Sequence, residues 1–415
     1  MPDTYFPISI EPACQLKWTW STIHLYTGET NSCHRVNEQK IDPENFQNFH
    51  NLPKKVNDRK LMLDGIWPAG GCEYCKDIEA SGGKSDRMFQ KEIPNLSPPE
   101  LINNPLAVEV SPRIVEVYLN NICNMSCIYC EDKFSSKIEQ ENIRFGEFKI
   151  DGLEIKNNSK KTENFEKLTS EFWKWINKNY LTLRRLHILG GEPFYQKEFN
   201  QCLDFLESHS NPNLEFNIVS NLKLSHDKLV IILERIKNLI VQNKIKRFDL
   251  TASIDCWGES QEYIRYGINF EQWKKNFEYI CGQKWITVNI NQTITSLSLD
   301  STVKLIEYIN TFKKQRKIGH YFMYCKKPSF FNPAIFPKNF FNTHLDAIIN
   351  TMETETWQGK HAKDLMIGFK HYFNSNDGDN LEIKKLIMYL NELDRRRNLN
   401  WRLVFPWLIE FEHVV

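Results

Sequence analysis

Six short β-rich runs alternate with amphipathic helical stretches from about residue 110 onward, and no other feature restricts the fold of this chain as much. The predicted strands are Ile114–Leu119, Arg185–Leu189, Glu215–Ser220, Arg247–Ser253, Trp285–Gln292 and Gly319–Tyr324. Between them lie helical stretches such as the one in which Phe165, Leu168 and Phe172 recur every three or four residues. Strands that alternate with helices form parallel sheets. The alternation therefore predicts an α/β fold, a partial (β/α)6 barrel of the TIM-like kind.

The regions on either side of these strands follow other patterns. Residues 1–108 hold four cysteines and are expected to form a separate module, whereas 109–335 form the barrel. Toward the C-terminus, apolar periodicity predicts helices only, at Phe340–Ile349, Lys360–Tyr372 and Leu381–Arg396. We therefore expect a third domain, a helical C-terminal extension at 336–415.

A polar segment from Glu131 to Lys161 interrupts the first crossover. It is too long for a routine strand-to-helix connection and lacks periodicity, which predicts a surface insertion. A small hairpin is expected around Phe145-Gly146 and Asp151-Gly152. A lid over an active site is the alternative interpretation of the same segment.

Composition and charge argue against several classes of protein. The 53 Lys and Arg residues nearly balance the 52 Asp and Glu residues, so no global field attracts nucleic acid, and a nucleic-acid partner is not indicated. The sequence contains no run of about 18 apolar residues, the length that would predict a membrane span. The first residues, Met1–Phe6, lack the basic and apolar parts of a signal peptide. We therefore expect a cytoplasmic protein whose eleven cysteines are reduced and serve metal binding more than disulfide formation.

Three cysteines, Cys123, Cys127 and Cys130, follow the first predicted strand in the run Cys-Asn-Met-Ser-Cys-Ile-Tyr-Cys. A cubane iron-sulfur cluster usually has four cysteine ligands, so a set of three indicates an iron with an open position. A zinc knuckle is the alternative, and it normally needs a second Cys or His pair nearby. No such pair follows Cys130 at short range.

This run resembles the signature of the radical S-adenosylmethionine (radical SAM) enzymes, Cys-x3-Cys-x2-Cys with an aromatic residue, here Tyr129, before the last cysteine. A second match is Gly190-Gly191-Glu192-Pro193, which directly follows the second predicted strand. The resemblance implies a 4Fe-4S cluster on the three cysteines and SAM bound at its open iron. It also implies reductive cleavage of SAM to a 5'-deoxyadenosyl radical that abstracts hydrogen from a substrate.

The same resemblance implies which residues hold SAM. Tyr129 would contact the adenine, and the turn of Gly190, Gly191 and Glu192 would hold the methionine amino group. The ribose and carboxylate would be held by residues at later strand ends and in one helix, namely Ser220, Asn221, Ser253 and Arg265. A surface ion pair is the alternative role for Arg265. Cys256 stands where the family usually has glycine, which leaves the local backbone path open.

A second set of cysteines precedes the barrel. Cys72 and Cys75 form a Cys-x2-Cys pair, and with Cys14 and Cys33 they make a set of four. The spacing Cys14-x13-Gly28-x4-Cys33 resembles the SPASM/twitch extensions, which bind an auxiliary 4Fe-4S cluster, although the best-known members carry this module after the barrel. A structural zinc on the same four cysteines is the competing explanation. His34 beside Cys33 leaves a mixed ligand set open.

These motifs predict a radical SAM enzyme of the oxidoreductase or transferase type. By resemblance, the favoured substrate is a peptide or protein side chain, and the alternative is a small polar molecule such as a sugar or aminocyclitol. The other expected partners are SAM and an electron donor such as flavodoxin or ferredoxin, with no membrane. The alternative outside enzymes is a zinc-binding interaction protein on a degenerate barrel.

Overall fold

The computed structural model describes residues 5–150, 153–154, 160–375 and 377–414. The strands are β1 (Trp20–His24), β2 (Glu29–Asn31), β3 (Gln39–Lys40), β4 (Ile114–Tyr118), β5 (Lys149–Ile150), β6 (Leu153–Glu154), β7 (Arg185–Leu189), β8 (Glu215–Ser220), β9 (Arg247–Ser253), β10 (Ile286–Ile294) and β11 (Ile318–Tyr324). The first helices are α1 (Gln15–Thr19), α2 (Pro53–Leu63), α3 (Glu73–Ala80), α4 (Asp86–Lys91), α5 (Glu100–Asn103), α6 (Ser136–Phe145), α7 (Phe165–Asn179) and α8 (Lys197–Ser208). The remaining helices are α9 (His226–Val241), α10 (Gly258–Ile264), α11 (Phe270–Gly282), α12 (Leu299–Lys313), α13 (Asn342–Thr351), α14 (Trp357–Phe373), α15 (Asn380–Arg397) and α16 (Trp401–Val404).

The six predicted strands are confirmed as β4, β7, β8, β9, β10 and β11, with ends within two residues of the expected ones. They are neighbours in sequence order within one nine-stranded sheet, whose order is β11-β10-β9-β8-β7-β4-β1-β2-β3. The pairs β4 with β7, β7 with β8 and β10 with β11 are parallel. The chain therefore has an α/β fold with helices in the connections between these strands.

The sequence did not predict the other edge of the sheet. β1 pairs in parallel with β4, and β2 and β3 add antiparallel strands beyond it. The N-terminal residues therefore extend the same sheet that carries the predicted strands.

The chain divides into two compact units, which are described separately. The first comprises Met1–Asn121, Ser159–Ile218 and Arg235–Phe248, and the second comprises Ile122–Asn158, Val219–Glu234 and Asp249–Val415. In the first unit, Trp18 and Met62 belong to an apolar cluster that also contains Cys14 and Cys72. In the second unit, Leu345 of α13 belongs to an apolar cluster whose other helical members include Met366 of α14, Leu386 and Leu390 of α15, and Trp401 of α16. The three expected C-terminal helices are confirmed as α13, α14 and α15. Their apolar residues contribute to this cluster.

The predicted insertion contains α6 and a short hairpin in which β5 pairs antiparallel with β6. The turn expected at Asp151-Gly152 lies outside the described residues. No helix in the described part of the chain is long and apolar enough to cross a membrane.

Candidate cofactor site

The backbone of the cysteine loop is held by hydrogen bonds from several elements of the second unit. The Ser126 amide donates to the Tyr266 carbonyl at 2.9 Å, and the Ile128 amide donates to the Ile264 carbonyl at 2.9 Å. The Tyr389 hydroxyl donates to the Ile128 carbonyl at 2.9 Å. Because these backbone groups have partners outside the loop, the loop between Cys123 and Cys130 has a defined path.

The start of the loop is fixed through Asn124. Its side-chain amide donates to the Lys223 carbonyl at 2.8 Å, and the Lys223 ammonium donates back to the Asn124 carbonyl at 2.9 Å. Asn221 donates to the Asn124 side-chain oxygen at 2.9 Å. The Cys123 amide donates to Ser136 Oγ at 3.1 Å. The structure therefore places Asn221, a predicted SAM-binding residue, against the cysteine loop.

The three thiols of the loop lie close enough to influence one another. Burial raises the pKa of Cys130 well above its ordinary value, and the nearby Cys127 and Cys123 thiols raise that pKa further. Burial also raises the pKa of Cys127, against the opposing effect of the Arg265 guanidinium. Three thiolates at one loop are therefore unfavourable without a bound cation. A metal centre would relieve this repulsion because metal binding requires and stabilises the thiolate form.

Asp255 organises the charged groups beside the loop. Both of its carboxylate oxygens accept from Arg265, at 2.9 and 2.8 Å. The Tyr129 hydroxyl donates to Oδ2 at 2.6 Å, and the Thr293 amide donates to Oδ1 at 3.0 Å. Arg265 is 7% exposed and Asp255 is 0% exposed. The two residues therefore form a buried ion pair, whereas the alternative role for Arg265 was a surface ion pair. Arg265 uses its Nε and Nη2 donors for Asp255. Its remaining N–H donors can bind a further ligand.

The predicted serines lie at the carboxyl ends of two strands. Ser220 ends β8, and its Oγ accepts from the Leu222 amide at 3.0 Å. Leu222 has a φ of 55°, which is a strained conformation for leucine. The Asn276 side chain holds this turn by donating to the Leu222 carbonyl at 2.9 Å. Ser253 ends β9 and is buried.

The Gly-Gly-Glu-Pro turn belongs to the first unit and follows β7. Gly190 and Gly191 have φ values of 88° and 53°. A Cβ atom on Gly190 would lie 3.0 Å from the Asn120 carbonyl oxygen, so both the φ angle and the space require glycine there. Glu192 is 1% exposed, and its side chain accepts from the Phe194 amide at 3.4 Å. The buried carboxylate thus caps the turn that follows it.

The four N-terminal cysteines lie around one cavity of the first unit. Cys14, Cys33, Cys72 and Cys75 all line one cavity. Burial, with a contribution from Cys33, raises the pKa of Cys14 to about 12. The Arg35 amide donates to the Cys33 sulfur at 3.4 Å. The sequence-based grouping of these four cysteines therefore corresponds to one place in the fold.

Three cations also line this cavity, and each has a carboxylate partner. The pairs are Lys17 with Asp58 at 2.7 Å, Arg35 with Asp86 at 3.1 Å, and Arg87 with Glu79. Burial raises the pKa values of Cys14, Cys33 and Cys72, and the Lys17 ammonium opposes that rise in each. Four thiols beside cations suit either an iron-sulfur cluster or zinc. Within the described residues, no group of three or more His, Cys, Asp or Glu side chains is arranged to hold a metal ion.

His34, considered as a mixed ligand, is bonded to Glu116. His34 Nε2 lies 3.2 Å from Glu116 Oε1, and His187 Nδ1 lies 3.1 Å from Oε2. Burial opposes ionisation of Glu116, but the hydrogen bonds from His187 and His34 outweigh it and hold the pKa of this carboxyl well below its usual range. His34 therefore has a partner other than the cysteine set.

This carboxylate is part of a polar row that the sequence analysis missed. Thr22, Glu116, His187 and Asn217 are register partners across β1, β4, β7 and β8. His187 Nε2 and Asn217 Oδ1 are buried, and neither has a hydrogen-bond partner among the described residues. The available signal was Glu116 itself, a charged residue in the middle of an otherwise apolar strand.

No protein-family model matches this chain, and no curated protein matches it at significant similarity.

Proposed function

We propose that this chain is a radical SAM enzyme on a partial (β/α)6 barrel. The observation that carries the proposal is the anchored loop of Cys123, Cys127 and Cys130, in which three mutually interacting thiols follow β4 in sequence. The Gly-Gly-Glu-Pro turn follows β7, the strand paired with β4. Active sites of such barrels lie at the carboxyl ends of the strands, which is where both motifs occur in the sequence.

A 4Fe-4S cluster on the three thiolates would supply the electron that cleaves SAM to methionine and a 5'-deoxyadenosyl radical, which takes a hydrogen atom from the substrate. The residues of the chain have simpler tasks. The Arg265 guanidinium favours the thiolate of Cys127. The amides of Ser126 and Ile128 fix the loop. Tyr129 is held by Asp255, so its ring has one orientation for contact with the adenine.

The N-terminal cysteines would hold an auxiliary 4Fe-4S cluster. Four thiolates around one cavity would make a closed, fully ligated centre, which suits electron transfer or a structural role. The cations Lys17 and Arg35 would stabilise its negative charge. We propose the cytoplasm as the compartment, because cysteines that bind a cluster must stay reduced.

The substrate and reductant follow from the resemblance. We propose a peptide or protein side chain as hydrogen donor, with a sugar-like molecule as the alternative, and flavodoxin or ferredoxin as the source of the electron.

The test is production of 5'-deoxyadenosine by anaerobically reconstituted protein with SAM and dithionite. The Cys123→Ala/Cys127→Ala/Cys130→Ala variant should lose the product but keep the metal of the N-terminal site. Cys281→Ala is the matched control because Cys281, like the three loop cysteines, is a partly buried thiol, and it lies outside both cysteine sets. Continued 5'-deoxyadenosine production by the triple variant would refute the proposal.

A further inference from the structure

Two arginines lie side by side at the amino ends of neighbouring strands in the first unit. Arg113 directly precedes β4, and Arg184 directly precedes β7. The Arg184 amide donates to the Arg113 carbonyl at 2.8 Å. Both side chains line an open cavity of about 880 Å³, together with Lys246.

Among the residues that the structure describes, neither arginine forms an ion pair with a carboxylate. Arg113 Nη1 donates to the Thr182 carbonyl, and Arg184 Nη1 donates to the Leu183 carbonyl at 3.2 Å. Arg113 is only 6% exposed, and its buried Nε has no hydrogen-bond partner in the described part of the chain. A buried cation normally requires an anionic partner, because desolvation of an unpaired charge is costly.

The charge of Arg113 is correspondingly disfavoured. Burial lowers its pKa to about 10, repulsion by Arg184 acts in the same direction, and attraction by Glu100 opposes them. Burial also lowers the pKa of Arg184. Lys246 is already paired with Glu215 at 3.3 Å. An anion in the cavity would therefore interact mainly with the two arginines.

The rest of the cavity has an apolar side. Leu101 lines it, as do three exposed side chains, Tyr5, Ile102 and Leu181, which are 57%, 80% and 72% exposed. Such a wall suits the body of an organic molecule, while a guanidinium binds carboxylate or phosphate oxygens in pairs.

We propose that Arg113 and Arg184 form a binding site for an organic anion, a carboxylate or phosphate carried on an apolar or aromatic body. The site lies at the amino ends of the strands and does not depend on the proposed radical chemistry.

The first test is calorimetric titration of the full chain at fixed ionic strength with three probes: phenyl phosphate, 3-phenylpropionate and uncharged 3-phenylpropanol. Both anions should bind saturably, with the alcohol at least tenfold weaker, and the tighter anion identifies the preferred head group. Absence of binding by both anions, or equal binding of the alcohol, would overturn the proposal.

The second test uses variants. Arg184→Gln should weaken binding of the tighter-binding anion at least tenfold. Arg184 is half-buried, so this substitution should disturb the fold less than a change of the buried Arg113. Arg113→Lys keeps the charge but loses paired donation, so it should weaken binding by a smaller factor. Arg395→Gln is the control, because it removes the same charge from an exposed arginine paired with Glu392. Wild-type affinity in Arg184→Gln, or an equal loss in Arg395→Gln, would contradict the site.

Discussion

Arg265 donates one hydrogen bond to each carboxylate oxygen of Asp255, at 2.9 and 2.8 Å. The two side chains are 9% and 0% exposed. Tyr129, the residue before Cys130, donates to the same carboxylate. A buried charged pair is thus connected to the cysteine loop through one hydroxyl group, and its integrity bears on the loop as well as on stability.

We expect Asp255→Asn to lower the free energy of unfolding by about 3–5 kcal/mol, because it leaves the buried Arg265 charge without a partner. The double variant Asp255→Asn/Arg265→Met should be less destabilised than the sum of the single variants. Anaerobic denaturation by guanidinium chloride measures both quantities. The exposed pair of Lys84 and Glu92 serves as control. Additive effects of the two buried substitutions would contradict the coupling.

The metal content distinguishes an auxiliary cluster from zinc at the N-terminal cysteines. Reconstituted protein should hold about eight iron atoms, two clusters of the four-iron kind. Cys72→Ala/Cys75→Ala should keep about four, because only one set loses ligands. Cys202→Ala, which alters a buried thiol outside both sets, should match wild type in elemental analysis. About four iron atoms with about one zinc in the wild type would instead assign the module to zinc.

Glu192 is expected to contribute to SAM binding through its charge. Loss of a charged hydrogen-bonding partner costs about 1.5–3 kcal/mol of binding free energy. Glu192→Ala should therefore weaken SAM binding at least tenfold while the visible absorption of the cluster persists. Glu192→Gln preserves an acceptor for the Phe194 amide and removes only the charge. Equilibrium dialysis with SAM measures both variants. Wild-type affinity in both would show that Glu192 does not bind the methionine amino group.

The His34–Glu116 contact predicts a pH dependence of stability. Burial would lower the pKa of His34, but the hydrogen bond to Glu116 outweighs it and raises that pKa. When folding raises the pKa of a group, that group stabilises the fold fully at a pH below its unfolded-state pKa. The stabilisation is lost as the pH rises through the folded-state pKa. The effect should be modest, because the His34 side chain is 55% exposed and solvent screens the pair.

Melting temperature measured from about pH 6 to about pH 9 tests this contact. Wild type should lose stability relative to His34→Gln over the upper part of this range. Parallel curves for the two proteins would contradict the assignment of the effect to His34. The lowered pKa of Glu116 acts in the opposite window, since its contribution is lost as pH falls.

Local pattern alone predicted the six strands β4 and β7 to β11 and the C-terminal helices. β7, β8 and β9 have the predicted bounds because each is a short β-rich run between turn or helix signals. The apolar stripe of Phe165, Leu168 and Phe172 is buried along α7 as its spacing required. The four N-terminal cysteines could be grouped because ligand sets have characteristic spacings.

Tertiary structure alone decided which distant residues meet. β1 pairs with β4 across the intervening helices, and Thr22 contacts Glu116 although 94 positions separate them. Asp255 became the partner of both Tyr129 and Arg265, and Arg113 came to lie beside Arg184, through strand pairing and helix placement. Spacing in sequence reports only the periodicity within one element. These contacts depend on how separate elements pack against one another, so they can be identified only in the folded chain.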